Sequence, residues 1–444
     1  MKHQPANLLN VFLEGRARRK VGRLALRDRR ILFEFDPAFL ADPLPLSPFQ
    51  LSVRPGVVAG RPEVFDGLLG VFNDSLPDGW GRLLLDRAVE SLGIPRGDLT
   101  PLDRLAHVGR HGMGALSYEP DLSDGEDIPV VLELDALARD AATVLAGEEG
   151  KVIEKLLKLN GASAGARPKV VAQVSADRKK IVHGPAMLPT GYTHWMIKFP
   201  SINDEANIGQ IEYAYSLMAR AAGIVMPQTH LFSSKRKKYF GIERFDRDGD
   251  RRIHMHSLSG LLHADHRAPT LDYDDLLKAT HALTRDATEA ERAYRLACFN
   301  VLAHNRDDHS KNVSFLLDDA DGSWRLAPAY DLTFSSGPGG EQSMMIMGEG
   351  RAPGVAHLQA LAKKHDLRNG PRILDDVRAA VARWSDHADA AGLTKKATTL
   401  IGGRIAPPIA KAKSTKTKSA KSKAPRKPAA KKTSKRSPKR TGRS

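Results

Sequence analysis

Residues 299 to 316 read Phe-Asn-Val-Leu-Ala-His-Asn-Arg-Asp-Asp-His-Ser-Lys-Asn-Val-Ser-Phe-Leu. An apolar helical run leads up to His304, polar side chains crowd positions 305 to 312, and a β-patterned run begins at Val313. The spacing predicts a polar loop held between two packed elements, a good place for catalytic groups. Downstream, Asp318-Asp-Ala-Asp-Gly322 separates this run from a second apolar run, Trp324 to Ala327, and the pair reads as a β-hairpin. With its turn near residue 320, the hairpin returns Asp331 to the end of the loop, beside His309 and Asn312.

That arrangement supplies what phosphoryl transfer needs. One carboxylate orients or deprotonates an acceptor hydroxyl, and an amide oxygen with a second carboxylate holds Mg²⁺ on the phosphates. Asp307 is the candidate base, and Asn312 and Asp331 are the candidate metal ligands. Any one of these aspartates alone would read as a turn cap; the joint spacing of the three residues is what points to chemistry.

Upstream, His194-Trp-Met-Ile-Lys-Phe199 alternates as a strand, sending Trp195, Ile197 and Phe199 to one face and Lys198 to the other. Lys198 could reach phosphates there. The helix expected over residues 205 to 222 buries Ile208, Ile211, Tyr215, Met218 and Ala222, and Glu212, at the edge of that face, is the candidate partner for Lys198. The small residues of Asn160 to Lys169 allow backbone amides to approach a phosphate, and Arg167 and Lys169 add charge, although the Gly-Lys-Ser/Thr of a Walker loop is missing.

Further strands are expected in Arg23 to Phe35, as a hairpin about Arg27 to Arg30, and in Val170 to Val174 and Tyr239 to Phe245; helices are expected over Leu83 to Leu92 and Leu132 to Leu145. After about residue 250 the pattern is mainly helical. A strand-rich part followed by a helix-rich part predicts an α+β, two-lobed fold. The expected division is residues 1–120, a linker and bridging helix at 121–148, lobes at 149–250 and 251–405, and a tail from 406. Cys298 lies in an apolar run and reads as a small buried hydrophobe, and His254, His256, His263 and His266 read as loop histidines.

The formal charge is +16, yet Lys411 to Ser444 alone carries 15 Lys and Arg and no acid, leaving +1 for all that precedes it. The folded part therefore has no electrostatic reason to wrap nucleic acid, whereas the tail could bind it without sequence preference, losing affinity steeply with salt. Neither a signal peptide nor an apolar run long enough for a membrane span is apparent, so a cytoplasmic protein is expected, nucleoid-associated if the tail engages DNA.

The segments LPDGWGR (76–82), VGRHGMGAL (108–116), GARPK (165–169), IKFP (197–200), ERFDR (243–247), HNRDDHSKN (304–312) and AYDL (329–332) occur in this order. Carrying them, the chain resembles the HipA family of bacterial type II toxin–antitoxin kinases over residues 20 to 390. The resemblance implies a protein-kinase-like fold with a small β-rich N-terminal accessory domain and a helical C-terminal lobe. It implies an ATP- and Mg²⁺-dependent serine/threonine protein kinase that arrests growth by phosphorylating a translation component such as an aminoacyl-tRNA synthetase. A HipB-like helix-turn-helix antitoxin is the implied partner.

Position by position, the resemblance implies Asp307 as the catalytic aspartate, Asn312 and Asp331 as metal ligands, and Lys198 on the phosphates. Ala164, Gly165, Ala166, Arg167, Pro168 and Lys169 would form the phosphate loop. The backbone of Glu243 and Phe245 would meet the adenine, and Arg244, His309, Ser310, Lys311, Asn312 and Tyr330 would complete the nucleotide site. Some family members autophosphorylate a serine just before the phosphate loop; Ala162 aligns there, with Ser163 next to it, so the resemblance does not carry that self-modification over to this chain. Two other readings stay open: a degenerate, DNA-associated kinase that binds an antitoxin, and a lipid or small-molecule kinase.

Overall fold

The hairpin about Arg27 to Arg30 opens the first sheet. In the computed structural model, strands β2 (Arg18–Arg27) and β3 (Arg30–Phe35) pair up to Arg27 opposite Arg30, and Asp28 and Arg29 both take positive φ, 51° and 59°. Two successive positive-φ residues turn the chain with the twist that flanking strands prefer. With β1 (Leu8–Glu14), β4 (Val57–Ala59) and β5 (Leu116–Glu119) they form an antiparallel sheet in the order β4-β3-β2-β1-β5. Leu9, Val11 and Leu13 of β1 alternate into the core. The structure describes residues 4 to 405 apart from 124–128, 148–150, 162–164, 185–186, 203, 236 and 269. Ala164, the 162–163 pair and the basic tail lie outside the described residues.

A second, six-stranded antiparallel sheet joins β6 (Val130–Val131), β7 (Lys169–Ser175), β8 (Ile181–His183), β9 (Tyr192–Lys198), β10 (Thr229–Ser233) and β11 (Lys238–Glu243), in the order β10-β11-β9-β7-β8-β6. The expected strands at 170–174, 195–199 and 239–245 are its centre. Helices Leu134–Leu145 and Lys151–Asn160 cover it together with Gly79–Glu90. Trp80, Leu84 and Ala88 of Gly79–Glu90 share one apolar cluster with Val170, Ala172, Trp195 and Ile197. Burying such side chains is worth roughly 2 kcal/mol each, so the start of that helix is held firmly against β7 and β9.

The rest is mainly helical, as expected, with helices Tyr273–Thr284, Ala287–Leu302, Val355–Lys364 and Gly370–Val381 around one core. Asp272 and Asp286 cap the first two, each accepting a backbone amide from the first turn. Cys298 is fully buried, and burial pushes its thiol up to about 12. The fold is therefore α+β with a β-rich N-terminal region and a helical C-terminal part.

Two small sheets complete it: β12 (Arg247–Asp248) with β13 (Arg251–Arg252), and β14 (His254–Ser257) with β15 (Ser314–Leu317) and β16 (Trp324–Leu326). The β15–β16 hairpin turns at Asp318 to Ser323, where the Asp318 amide donates to the Ser323 carbonyl at 2.9 Å. The expectation of loop histidines fails at His254 and His256. Both lie in β14, buried, because β15 pairs with this strand and polar partners reach each ring: Leu46 O at 2.9 Å from His254 Nε2, and Asp74 at 2.6 Å from His256 Nδ1.

Candidate active site

Helix Ala287–Leu302 ends at Ala303, and the chain turns at His304 (φ 54°) into the polar loop. The loop is fixed from beneath by a buried polar network. Asn305 donates to Asn300 (2.9 Å), Asn300 to the Tyr273 hydroxyl (2.7 Å), and Tyr273 to Asp308 (2.7 Å). Gln342 Nε2 and the Ser343 amide donate to the same carboxylate at 3.0 and 2.9 Å. Neighbouring aspartates thus divide their roles: Asp308 faces inward, and Asp307 stays exposed at the surface of the loop.

Burial pushes the Asp308 carboxyl up to about 6, against the pull of its donors. Its folded value stands above the ordinary 3.8, so the stabilising contribution of this group is present at low pH and is lost as pH rises toward 6. We expect the unfolding free energy of the wild type, relative to Asp308→Asn, to fall by up to about 3 kcal/mol between pH 4 and pH 6.5. Denaturant titrations at both pH values check this; a difference independent of pH would refute it.

Asn312 donates its amide nitrogen to the Asp307 carbonyl at 2.9 Å, which leaves the amide oxygen for a cation. Asp331 takes φ 56°, a left-handed conformation costly for any residue with a Cβ and found where surrounding structure enforces it. Its carboxylate is ion-paired to Lys198, whose amine also lies 3.3 Å from Glu212. Burial opposes both charges, yet Lys198 holds Asp331 well below the usual carboxylate range, and Asp331 and Glu212 hold Lys198 above the usual lysine range. Arg167 is also on Glu212, and on Asp204 at 3.1 Å, so its guanidinium braces this cluster.

Lys169 on β7 stands directly opposite Lys198 on β9. Like charges at such a pair are normally destabilising; here the carboxylates around them offset the repulsion, and burial pushes the Lys169 amine down to about 8. Lys169, Lys198 and Asp331 line one open cavity, whose empty space of about 890 Å³ includes its mouth to solvent. Gly165, Lys169, Lys198, Glu243, Arg244, Phe245, His309, Lys311, Asn312, Tyr330 and Asp331 all contribute to its wall.

Asp307 stands beside the cavity rather than in its wall. Partial desolvation by the groups around the cavity mouth raises its carboxyl above the ordinary value, His309 acts the other way, and the charge of Asp331 adds to the rise. Ser310 is buried in the turn beneath, Pro168 accepts the Phe199 amide, and Ala166 packs under Gly79. Arg244 commits its guanidinium to a fork on Asp246 at 2.9 and 2.8 Å. The Glu243 and Arg244 amides are committed to Gln228 and His194. Apolar Met113, Met196, Ile242 and Met255 form part of the remaining wall.

Asp74, Asp78 and Met113 come from the N-terminal region and were not anticipated in the site. For Asp78 and Met113 the signal was present in LPDGWGR and VGRHGMGAL, whose glycines permit close approach; Asp74 lies outside both motifs. The Gly114 amide donates to Asp246 at 2.7 Å, and Arg247 and Arg252 donate to the Gly112 and Gly114 carbonyls. Asp74, His256 and Ser47 form a carboxylate–imidazole–hydroxyl chain of 2.6 and 2.9 Å. Its hydroxyl and imidazole are fully buried, so the chain presents no nucleophile to a substrate, and it joins the N-terminal region to β14.

The sequence matches the family model of the HipA N-terminal domain over residues 9–119 and that of the HipA-like C-terminal domain over residues 161–385. The chain belongs to the HipA family. A relative from Sinorhizobium fredii (strain NBRC 101917 / NGR234), named "Putative kinase Y4mE", is 29% identical over 422 residues, covering 85% of this chain and 91% of the relative. Among solved structures, HipA of Shewanella oneidensis MR-1, in complex with HipB and its operator DNA, superposes with a TM-score of 0.62 at 17% identity, covering 89% of this chain and 94% of that one. At that identity the likeness concerns the fold, which is that of the HipA kinase. This HipA family member is kinase-like, and none of its helices among the described residues is long and apolar enough to cross a membrane.

Proposed function

We propose that this chain is an ATP- and Mg²⁺-dependent serine/threonine protein kinase acting as the toxin of a toxin–antitoxin pair. The observation that carries the reading is a single cavity lined by Lys198, Asn312 and Asp331, with Asp307 at its edge. The donor set fits the ligand: Asn312 and Asp331 offer hard oxygens, and Lys169, Lys198 and Lys311 offer positive charge. Bound Mg-ATP would supply the transferable phosphoryl group. Asp307, more basic than an ordinary carboxylate, accepts the proton of the acceptor hydroxyl. Lys198, poised by Glu212, would neutralise phosphate charge, and Asn312 and Asp331 would hold the metal. The apolar methionines and Ile242 suit the face of a base.

In this reading residues 149–250 and 251–405 are the two lobes, and residues 1–120 complete the nucleotide site from outside them. A HipB-like antitoxin is the proposed partner, by analogy with the Shewanella complex. The acceptor class is a protein hydroxyl on a translation component, and the setting is the cytoplasm. The test is transfer of label from γ-labelled ATP by the purified full chain, with Mg²⁺, into protein or lipid acceptors. Label in protein serine or threonine is expected. Label confined to lipid would replace the acceptor class, and none above buffer level would favour the degenerate, antitoxin-binding reading.

A further inference from the structure

The N-terminal region places one carboxylate where the nucleotide reading puts phosphate. Asp78 accepts the Gly165 amide of the candidate phosphate loop through one oxygen. Through the other it accepts Lys311 Nζ at 2.8 Å, with His266 Nε2 at 3.9 Å from that oxygen. The positive charge of Lys169 also acts on it, and the side chain lines the cavity shared with Lys198 and Asp331. A backbone amide beside lysine amines is the constellation that binds phosphate. Here an anion of the protein itself already holds it.

Its position is built in. The Trp80 amide donates to the Gly165 carbonyl at 3.0 Å. Gly79 has φ +44°, and a Cβ there would stand 2.7 Å from both Ala166 Cα and the Gly165 carbonyl oxygen, so only glycine allows the two backbones to meet. The helix that follows is anchored by Trp80 and Leu84 in the core under β7 and β9. The turn is thereby fixed, and the side chain of Asp78 is the part free to yield.

We propose that Asp78 is an internal phosphate surrogate: it holds the phosphate-loop amide and Lys311 in the absence of ligand, and nucleotide phosphates must displace it to bind. The N-terminal region would thus set nucleotide affinity, and a partner that tightened or loosened the 76–80 turn would regulate the site. This inference rests on the nucleotide reading above. The carboxylate is held down at about 2, so it remains an anion at every working pH.

The experiment is calorimetric titration of the full chain with Mg-bound non-hydrolysable ATP analogue and, separately, with adenosine, for wild type, Asp78→Asn and Asp78→Ser. The expected result is at least tenfold tighter analogue binding by both variants, with adenosine affinity unchanged. Unchanged or weaker analogue binding with intact adenosine binding would show that Asp78 is idle or supports the phosphates, and would overturn the proposal. Loss of adenosine binding in both variants would make Asp78 a structural strut and overturn it equally. If the wild type binds neither ligand, the nucleotide reading itself falls, and this inference with it.

Discussion

Replacing Asp307 with asparagine is expected to lower phosphotransfer by about 10³-fold or more while leaving the unfolding midpoint within about 1 °C of wild type. A positioned base is worth 10²–10⁴ in rate, and in the proposed reaction Asp307 would also orient the acceptor. Stability is spared because the Asp307 side chain is exposed and the bond to Asn312 uses its backbone carbonyl, which asparagine retains. Analogue affinity should stay within a few fold, since the carboxylate stands beside the cavity wall and not in it. Parallel initial-rate, calorimetric and thermal-unfolding measurements check this; a variant as active as wild type would remove Asp307 from the mechanism.

Lys198→Met is the contrasting case, with large effects on both folding and affinity. Methionine keeps much of the length of the side chain but removes the cation that bridges Asp331 and Glu212. Breaking one partner out of a buried ion cluster typically costs about 3–5 kcal/mol, because the remaining charges are left unpaired. The lower end is expected here: Arg167 still serves Glu212, and loss of one of two facing lysines relieves repulsion with Lys169. Phosphate affinity should fall by about 100-fold or more, with adenosine binding retained. Mg²⁺ should restore part of the lost thermal stability by taking the place of the amine on Asp331. An unchanged melting temperature with unchanged affinity would mean that the cluster neither holds the fold nor meets a ligand.

Taken together, the two variants separate chemistry from architecture. Under the proposed reaction, Asp307→Asn would report on the chemistry without touching the fold, and Lys198→Met on the ion cluster with Asp331 and Glu212. Asp308 provides a third probe, since burial raises its carboxyl to about 6 and its contribution to stability should therefore fall as pH rises toward that value. Confusing the two adjacent aspartates is the hazard of the motif, and only the network through Tyr273, Gln342 and Ser343 distinguishes them.

The local chain alone determined a large part of this protein. Helix, polar loop and hairpin are contiguous from Ala287 to Leu326, so the spacing of Asp307, Asn312 and Asp331 follows from short-range geometry. Strand alternation put Lys198 on the face opposite Ile197, and helical periodicity put Glu212 within reach of it; both are consequences of fixed residue repeats. Family motifs extended this reading across both matched regions. Tertiary structure alone decided which groups far apart in sequence meet. It set Lys169 across from Lys198, turned Arg167 onto Glu212 and Asp204, buried His254 and His256 in a strand, and brought Asp74, Asp78 and Met113 into the cavity wall. No local periodicity encodes such meetings, because they depend on how separately folded surfaces pack. The charge state of each group then follows from burial and from neighbours that only packing supplies.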